Sequence, residues 1–356
     1  MERVIHYLLV MVATAFVLGT VIVVHEFGHL VVAKAFGMMA KEFSIGFGPV
    51  LLRRNWRGTE VSVRLLPLGG FVRIVGLEPG EWDIPGGFYA RPPLQRALVL
   101  VAGGIFNLTC AFFLFTLSMW AIGVPSGGTN EVKWVKVGSP AERAGIRRGD
   151  RIVGINGKFC SLKEIVETVE RSPGRRVVLL VRRGGRVIEV PVVPRAEWSR
   201  EIKGGRIVAR RVGRIGVAFR AKMKRLSLLK AMGRAARGIA AIFGGLKFFF
   251  QSIGRLFKPE SVIGGPIAIV KEVEAQVEGG LGYLLILAGG LSAFLGILNL
   301  LPFPALDGGR LVFTLLAAIG IRVHPRTETR FHMAGFALLM VLVLLVTAQD
   351  IWRIAQ

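Results

Sequence analysis

The chain has 356 residues, 52% of them hydrophobic, and 47 Lys and Arg against 23 Asp and Glu, a formal net charge of +24. With a mean hydropathy of +0.55 it is too apolar for an ordinary soluble domain and too charged for a plain helical bundle, so apolar and charged residues must be segregated along the chain. Two cysteines, Cys110 and Cys160, exclude a disulfide framework and a cysteine metal cluster and are assigned packing roles.

Val4 to Val24 is apolar except for His6 and long enough to cross a bilayer. It exceeds a signal-peptide core and lacks a small-x-small cleavage pattern, which predicts a retained helix. The segment 37–95 follows as a loop. Within it Val61, Val63 and Leu65 alternate with other residues, Leu68-Gly69-Gly70 reads as a turn, and Phe71, Val72, Ile74 and Val75 as a second strand. The pattern predicts a β-hairpin over Thr59 to Leu77 whose edge could take an extended peptide by strand addition. Ala97 to Ile122 is an uncharged second span. Gly123 to Glu260 then holds 31 basic against 10 acidic residues, most of the net charge, and must face water. It lacks interleaved aromatics, which argues against nucleic acid and for a surface near anionic lipid. Leu226 to Leu256 has an amphipathic pattern, with Lys230, Arg234 and Arg237 on one face. That suits an interfacial helix, and Lys247 counts against a span over Ile239 to Ile253. Leu281 to Leu306 is a third apolar stretch, broken by Gly and Pro, and Phe331 to Ala348 a fourth. Arg322, Arg326 and Arg330, in the short loop between them, place that side in the cytoplasm by the positive-inside rule and the basic domain opposite.

Chemistry concentrates in the apolar part. In His25-Glu26-Phe27-Gly28-His29 the two imidazoles, four residues apart, share a helix face and can hold one ion, while Glu26 can reach a water that the ion activates. Such a zinc site needs a third protein ligand. His324 and His332 flank the last span, but Asp307 is the better candidate. It ends Asn299-Leu300-Leu301-Pro302-Phe303-Pro304-Ala305-Leu306 and precedes Gly308-Gly309, in irregular backbone that apolar surroundings tolerate only beside protein or a wet cavity. It could also cap the helix that follows. Asn107 and Asn299, amides within apolar stretches, either join helices or hold substrate backbone.

His25-Glu26-Phe27-Gly28-His29, together with Asn299…Pro302-Phe303-Pro304…Leu306-Asp307-Gly308-Gly309, resembles the site-2 protease family of intramembrane zinc metalloproteases, and its bacterial branch with a PDZ insertion in particular. Phe43 to Pro49, Leu66 to Val72 and Gly264-Gly265-Pro266-Ile267 are similar to further segments of that family. Gly103-Gly104-Ile105-Phe106-Asn107 resembles its Gly-Pro-x-x-Asn motif, with Gly104 in place of the proline. Val132 to Val193 resembles a PDZ domain through Gly138 to Ile146 and Arg148 to Gly157, and Arg214-Ile215-Gly216-Val217 resembles its carboxylate loop.

The resemblance implies a polytopic α-helical membrane protein of about four transmembrane helices, with a membrane-associated β-hairpin and an inserted α+β PDZ domain. The expected layout is 1–36, first span with the histidines; 37–95, loop with hairpin; 96–122, second span; 123–220, PDZ domain and flanks; 221–280, amphipathic helix and connector; 281–321, third span; and 322–356, fourth span and tail. It implies one Zn2+ per chain on His25, His29 and Asp307, Glu26 as general base, and substrate contacts at Gly69, Gly70, Phe71, Asn107 and Asn299. The expected partners are transmembrane protein substrates, membrane lipid and peptide C-termini at the PDZ domain, with no nucleic acid. The expected location is the bacterial inner membrane, with the PDZ domain outside and the active site toward the cytoplasm. The rival expectations are a catalytically silent PDZ-bearing scaffold, against which the intact Glu26 argues, and a transporter, for which no inverted repeat is found.

Overall fold

A computed structural model describes residues 2–78, 80–203, 206–253, 265–321 and 323–355. The chain divides into two units, Met1–Ile122 with Leu226–Gln356, and Gly123–Arg225.

The first unit begins with α1 (Glu2–Ala35), a single helix that carries both histidines within it. Two long strands follow, β1 (Ala40–Trp56) and β2 (Thr59–Ile74), and then α2 (Pro93–Leu117), which starts on a proline. The hairpin differs from the expected one. Its turn is Arg57-Gly58, both at positive φ (50° and 77°), the tight-turn geometry that joins Trp56 to Thr59. The expected turn residues Gly69 and Gly70 lie inside β2. The alternation of Val61, Val63 and Leu65 marks a strand correctly, but its partner 40–56 is interrupted by Gly46, Gly48 and Pro49 and carries no clean period. Residues 42–45 of β1 pair with 60–63 and also with 70–73, so the two bent strands build a sheet wider than a simple hairpin. Gly70 is needed there, since a Cβ would sit 2.6 Å from the Ser44 carbonyl oxygen.

The second unit contains β3 (Val124–Val135), α3 (Pro140–Arg143), β4 (Arg151–Ile155), β5 (Lys158–Phe159), α4 (Leu162–Glu170), β6 (Val177–Arg183), β7 (Arg186–Val192), β8 (Arg195–Lys203), β9 (Arg206–Arg214) and β10 (Val217–Lys224). One sheet runs β10-β3-β4-β6-β7 with β5 beside β4, and β8-β9 forms a separate hairpin. Its core gathers Val132, Ile146, Ile152, Ile165, Leu179 and Val181. Ser161 and Glu164 close a reciprocal capping box at the start of α4. Asp150 is buried and bonded by Arg183 at 2.8 and 2.7 Å. Burial opposes its charge, but the guanidinium and the Arg147 N–H hold its carboxyl below the usual carboxylate range. The strand β10 corrects the expected layout, which assigned residues from 221 to a helix and connector. Residues 221–224 instead complete the sheet against β3.

The first unit resumes with α5 (Leu228–Ile253), α6 (Pro266–Gly279), α7 (Leu281–Asn299), α8 (Asp307–Ala318) and α9 (Pro325–Ala355). The third apolar stretch is therefore two helices, broken at Pro302 to Leu306. A short helix, α6, stands where a connector was expected. Its first amides, of Gly265 and Ala268, donate to Asp350 of α9 at 2.9 and 3.0 Å. Leu256, Gly264 and Arg322, which carry part of the amphipathic pattern, of a family motif and of the orientation signal, lie outside the described residues.

Among the described residues, four helices are long and apolar enough to cross a membrane: Val4–Ala35, Pro93–Ile122, Leu281–Asn299 and Pro325–Trp352. They turn apolar side chains outward, Val4 at 71% exposure and Leu344 at 64%, which is the arrangement that lipid rather than water rewards. α5 is not among them. It buries Ala231 and Ala235 and exposes Leu228, Leu229, Lys230, Arg234 and Arg237. Small residues let the spans approach closely. A Cβ on Gly28 would sit 2.7 Å from the Ala102 oxygen of α2, and one on Gly296 of α7 2.8 Å from the Gly104 oxygen. α2 runs unbroken through Gly104, so the missing proline leaves the helix intact.

Candidate metal centre

His25 and His29 lie one turn apart on α1, both about 7% exposed. The break between α7 and α8 brings Asp307 to them, 282 residues along the chain from His25. His25 Nε2 is 3.0 Å from Asp307 Oδ2, His29 Nε2 3.2 Å from the same oxygen, and the two Nε2 atoms are 3.2 Å apart. Ligands at zinc-nitrogen and zinc-oxygen bond lengths, arranged tetrahedrally, stand about 3.3–3.4 Å from each other. Two imidazoles and a carboxylate thus already converge at nearly the spacing one zinc ion requires, and the residues fit the group.

The surroundings fix the donor atoms. His29 Nδ1–H donates to the Val99 carbonyl at 2.8 Å, so the lone pair of Nε2 is free for a metal. Asn107 is fully buried behind His25, with its amide nitrogen 3.5 Å from His25 Nδ1 and its Oδ1 without a partner. Turning the amide over gives that oxygen the Nδ1 proton His25 carries when Nε2 ligates. Asn107 has no exposed surface, and its nearest site neighbour is the His25 ring. Asn299 Nδ2 stands 3.4 Å from His25 Nε2, on the half-buried side of the cluster. Gly103 of α2 is the floor under both rings, because a Cβ there would sit 2.6 Å from His25 Cε1 and collide with His29 Nε2.

Glu26 accepts the Val72 N–H at 3.0 Å. The strand edge that contains Gly69, Gly70 and Phe71 therefore runs beside this carboxylate. Asp307 is the first residue of α8 and does not cap it; Leu306 occupies the cap position without a side-chain bond. The Asp307 carboxylate is turned to the histidines instead. Of the other ligand candidates, His324 accepts the Arg326 N–H and faces Trp82, and His332 accepts the Ala305 N–H. Neither joins the cluster. Sequence reasoning missed Val99, Val72 and Gly103, which act through backbone atoms or through lacking a side chain.

The second unit has a cleft of about 180 Å3 between α4 and β10, the edge strand of its sheet, lined by Lys136, Ile165, Val169, Arg214, Ile215 and Phe219.

Residues 13–342 match the peptidase family M50. The chain is 31% identical over 341 residues to a Fusobacterium nucleatum protein named as a zinc metalloprotease, covering 95% of this chain and 97% of that one. It is 35% identical over 347 residues to a Nostoc protein of the same description, with 91% of each covered, and 31% identical to an Arabidopsis thaliana protein named membrane metalloprotease, covering 94% of this chain and 77% of that one. Convergent zinc donors, four span-length apolar helices and a match along almost the whole chain agree: this protein belongs to peptidase family M50, the site-2 protease family, and is a membrane zinc metalloendopeptidase.

Proposed function

We propose that the chain hydrolyses peptide bonds within transmembrane segments of single-pass membrane proteins, with one zinc held by His25, His29 and Asp307 and with Glu26 as general base. The observation that carries this reading is the convergence of three ligand atoms within 3.2 Å, two from a helix of span length and one from the start of α8, just past the end of another. When bound, zinc supplies Lewis acidity that lets a water molecule lose its proton near neutral pH. Glu26, next to His25 in the chain, takes that proton and returns it to the leaving amine. Asn299, beside His25 Nε2, steadies the substrate carbonyl, while Asn107 holds the His25 ring.

A transmembrane helix must unwind before its backbone can be attacked. The strand edge at Gly69, Gly70 and Phe71 gives the unwound segment a template, since extended peptides add to a sheet edge through main-chain bonds. The bond from Val72 to Glu26 puts that edge next to the base. The second unit acts as a PDZ domain, its cleft taking an extended C-terminus by β10, with Arg214 and Lys136 available to the carboxylate. The protein resides in the bacterial inner membrane, with this unit outside and the zinc site toward the cytoplasm. Its substrates are of the kind cut in regulated intramembrane proteolysis, such as anti-sigma factors or signal-peptide remnants.

The test compares wild type with Glu26→Gln on a reporter transmembrane segment and measures bound zinc in parallel. The variant is expected to keep one zinc and lose cleavage. Retained cleavage would remove Glu26 as base, and wild type purified without metal would remove the centre.

A further inference from the structure

We infer that His332, on the fourth span-length helix, is the residue that positions Asp307. The inference rests on the reading of Asp307 as a zinc ligand. Ala305, two residues before Asp307, has φ of 75°, a left-handed conformation that alanine avoids and that persists only when neighbouring structure enforces it. Its N–H donates to His332 Nδ1 at 3.0 Å. With Nδ1 accepting, the ring proton sits on Nε2, and this buried nitrogen has no partner. Filling space does not require a histidine here, since Phe313 and Phe331 already pack around the ring. Among the described residues, the one polar bond the ring makes is the one to Ala305.

The same face of α9 grips the rest of the turn. Gly335, three residues on, meets Pro304 so closely that a Cβ would collide with it, and a Cβ on Gly309 would lie 3.1 Å from His332 Cε1. The turn 303–306 is thus pressed between α8 and α9, and among the described residues His332 supplies its one side-chain acceptor. If the bond is lost, Ala305 relaxes toward negative φ, and the backbone rotation passes through Leu306 to the Asp307 carboxylate.

The experiment uses the full-length protein and reads zinc affinity by chelator competition, together with the visible spectrum of the Co2+-substituted form. His332→Leu is expected to weaken zinc about 10- to 100-fold, as loss of an outer hydrogen bond does at other zinc sites, and to change the Co2+ bands. Asn places an oxygen near the Nδ1 position, whereas Gln reaches the Nε2 position. His332→Asn is therefore expected to stay within about threefold of wild type and His332→Gln to fall with Leu. Ala305→Gly, which adopts positive φ freely, should recover part of the loss in the His332→Leu background. Equal loss in Asn and Gln, or wild-type affinity and spectrum in Leu, would overturn the assignment. Asp307→Ala separates the two levels: if it keeps full zinc affinity, the ligand reading has failed, whereas if it loses zinc while His332→Leu does not, only the positioning role has failed.

Discussion

Gly103→Ala tests the centre without touching a proposed ligand. A Cβ at this position would stand 2.6 Å from His25 Cε1 and 2.8 Å from His25 Nδ1, and closer still to His29 Nε2. Ordinary carbon contacts are about 3.5 Å or more, so both rings must retreat by close to 1 Å or α2 must move away from α1. The second route gives up the close α1–α2 packing at Gly28 and the Ala102 backbone. Zinc ligands tolerate displacements of about 0.2 Å. A retreat several times larger loses the geometry, with an expected 10- to 100-fold fall in zinc affinity, or about 1.4–2.8 kcal/mol. Overpacking adds a fold-stability cost of about 1–3 kcal/mol. The assay is chelator competition on the purified protein, with Gly104→Ala as the comparison. A Cβ at 104 meets Leu300 and the Gly296 oxygen instead of the histidines, so it should cost stability with a smaller effect on zinc. Wild-type zinc affinity in Gly103→Ala would refute the claim that the rings are held against α2.

Val72→Pro removes the N–H that Glu26 accepts while leaving the carboxylate in place. Proline is tolerated where the N–H points off a sheet edge, so cleavage should fall about tenfold or more with zinc retained; unchanged kcat would show that the bond does not serve the base. In the second unit, Asp150 titrates below its unfolded value of about 3.9 when folded. Its contribution is therefore complete above about pH 4 and disappears as pH falls through the lower folded value. Asp150→Asn should cost about 1.5–3 kcal/mol at neutral pH and flatten the acid limb of the thermal melting curve, and an acid limb like the wild type's would count against the pair. Asp350→Ala strips the acceptor from two amides at the start of α6, at a cost of about 1 kcal/mol or more. Hydrogen exchange at Gly265 and Ala268 should quicken, and unchanged protection there would show that α6 is held by packing alone.

The spans and the two histidines of the candidate ligand cluster were legible because their signals are local. Long apolar runs and an i,i+4 histidine pair depend on nothing outside a window of a few turns. Asp307 was legible for a different reason: a carboxylate among prolines and glycines in apolar surroundings is too costly to persist without a cation or a cap to satisfy it. What escaped was what depends on a partner far along the chain. The turn was expected at Leu68-Gly70 because two glycines mark a turn, yet there Gly69 passes against the Phe47 ring and Gly70 against the Ser44 backbone, and Arg57-Gly58 turns the chain instead. β10 follows a hairpin, β8-β9, that separates it from the rest of its sheet, and its strand character comes from pairing with β3. The Asp350 cap on α6 joins residues 85 apart, beyond any local window.

The charge of the whole chain also takes a different weight once the site is known. A net charge of +24 describes mainly the segment 123–260, where Arg and Lys are mostly exposed and individually worth little. Several ionisable groups in and beside the span-length helices have an identifiable duty: two histidines and an aspartate gathered on one point, a glutamate tied to a strand edge, Asp350 holding the start of α6, and His332 holding a strained turn. Ionisable groups in such surroundings are costly unless paired or ligated. In the ligand cluster, donor atoms from two imidazoles and one carboxylate converge on a single point. On the proposed reading, a divalent cation would neutralise that cluster, and the desolvation that makes such residues costly in an apolar setting would favour keeping it bound.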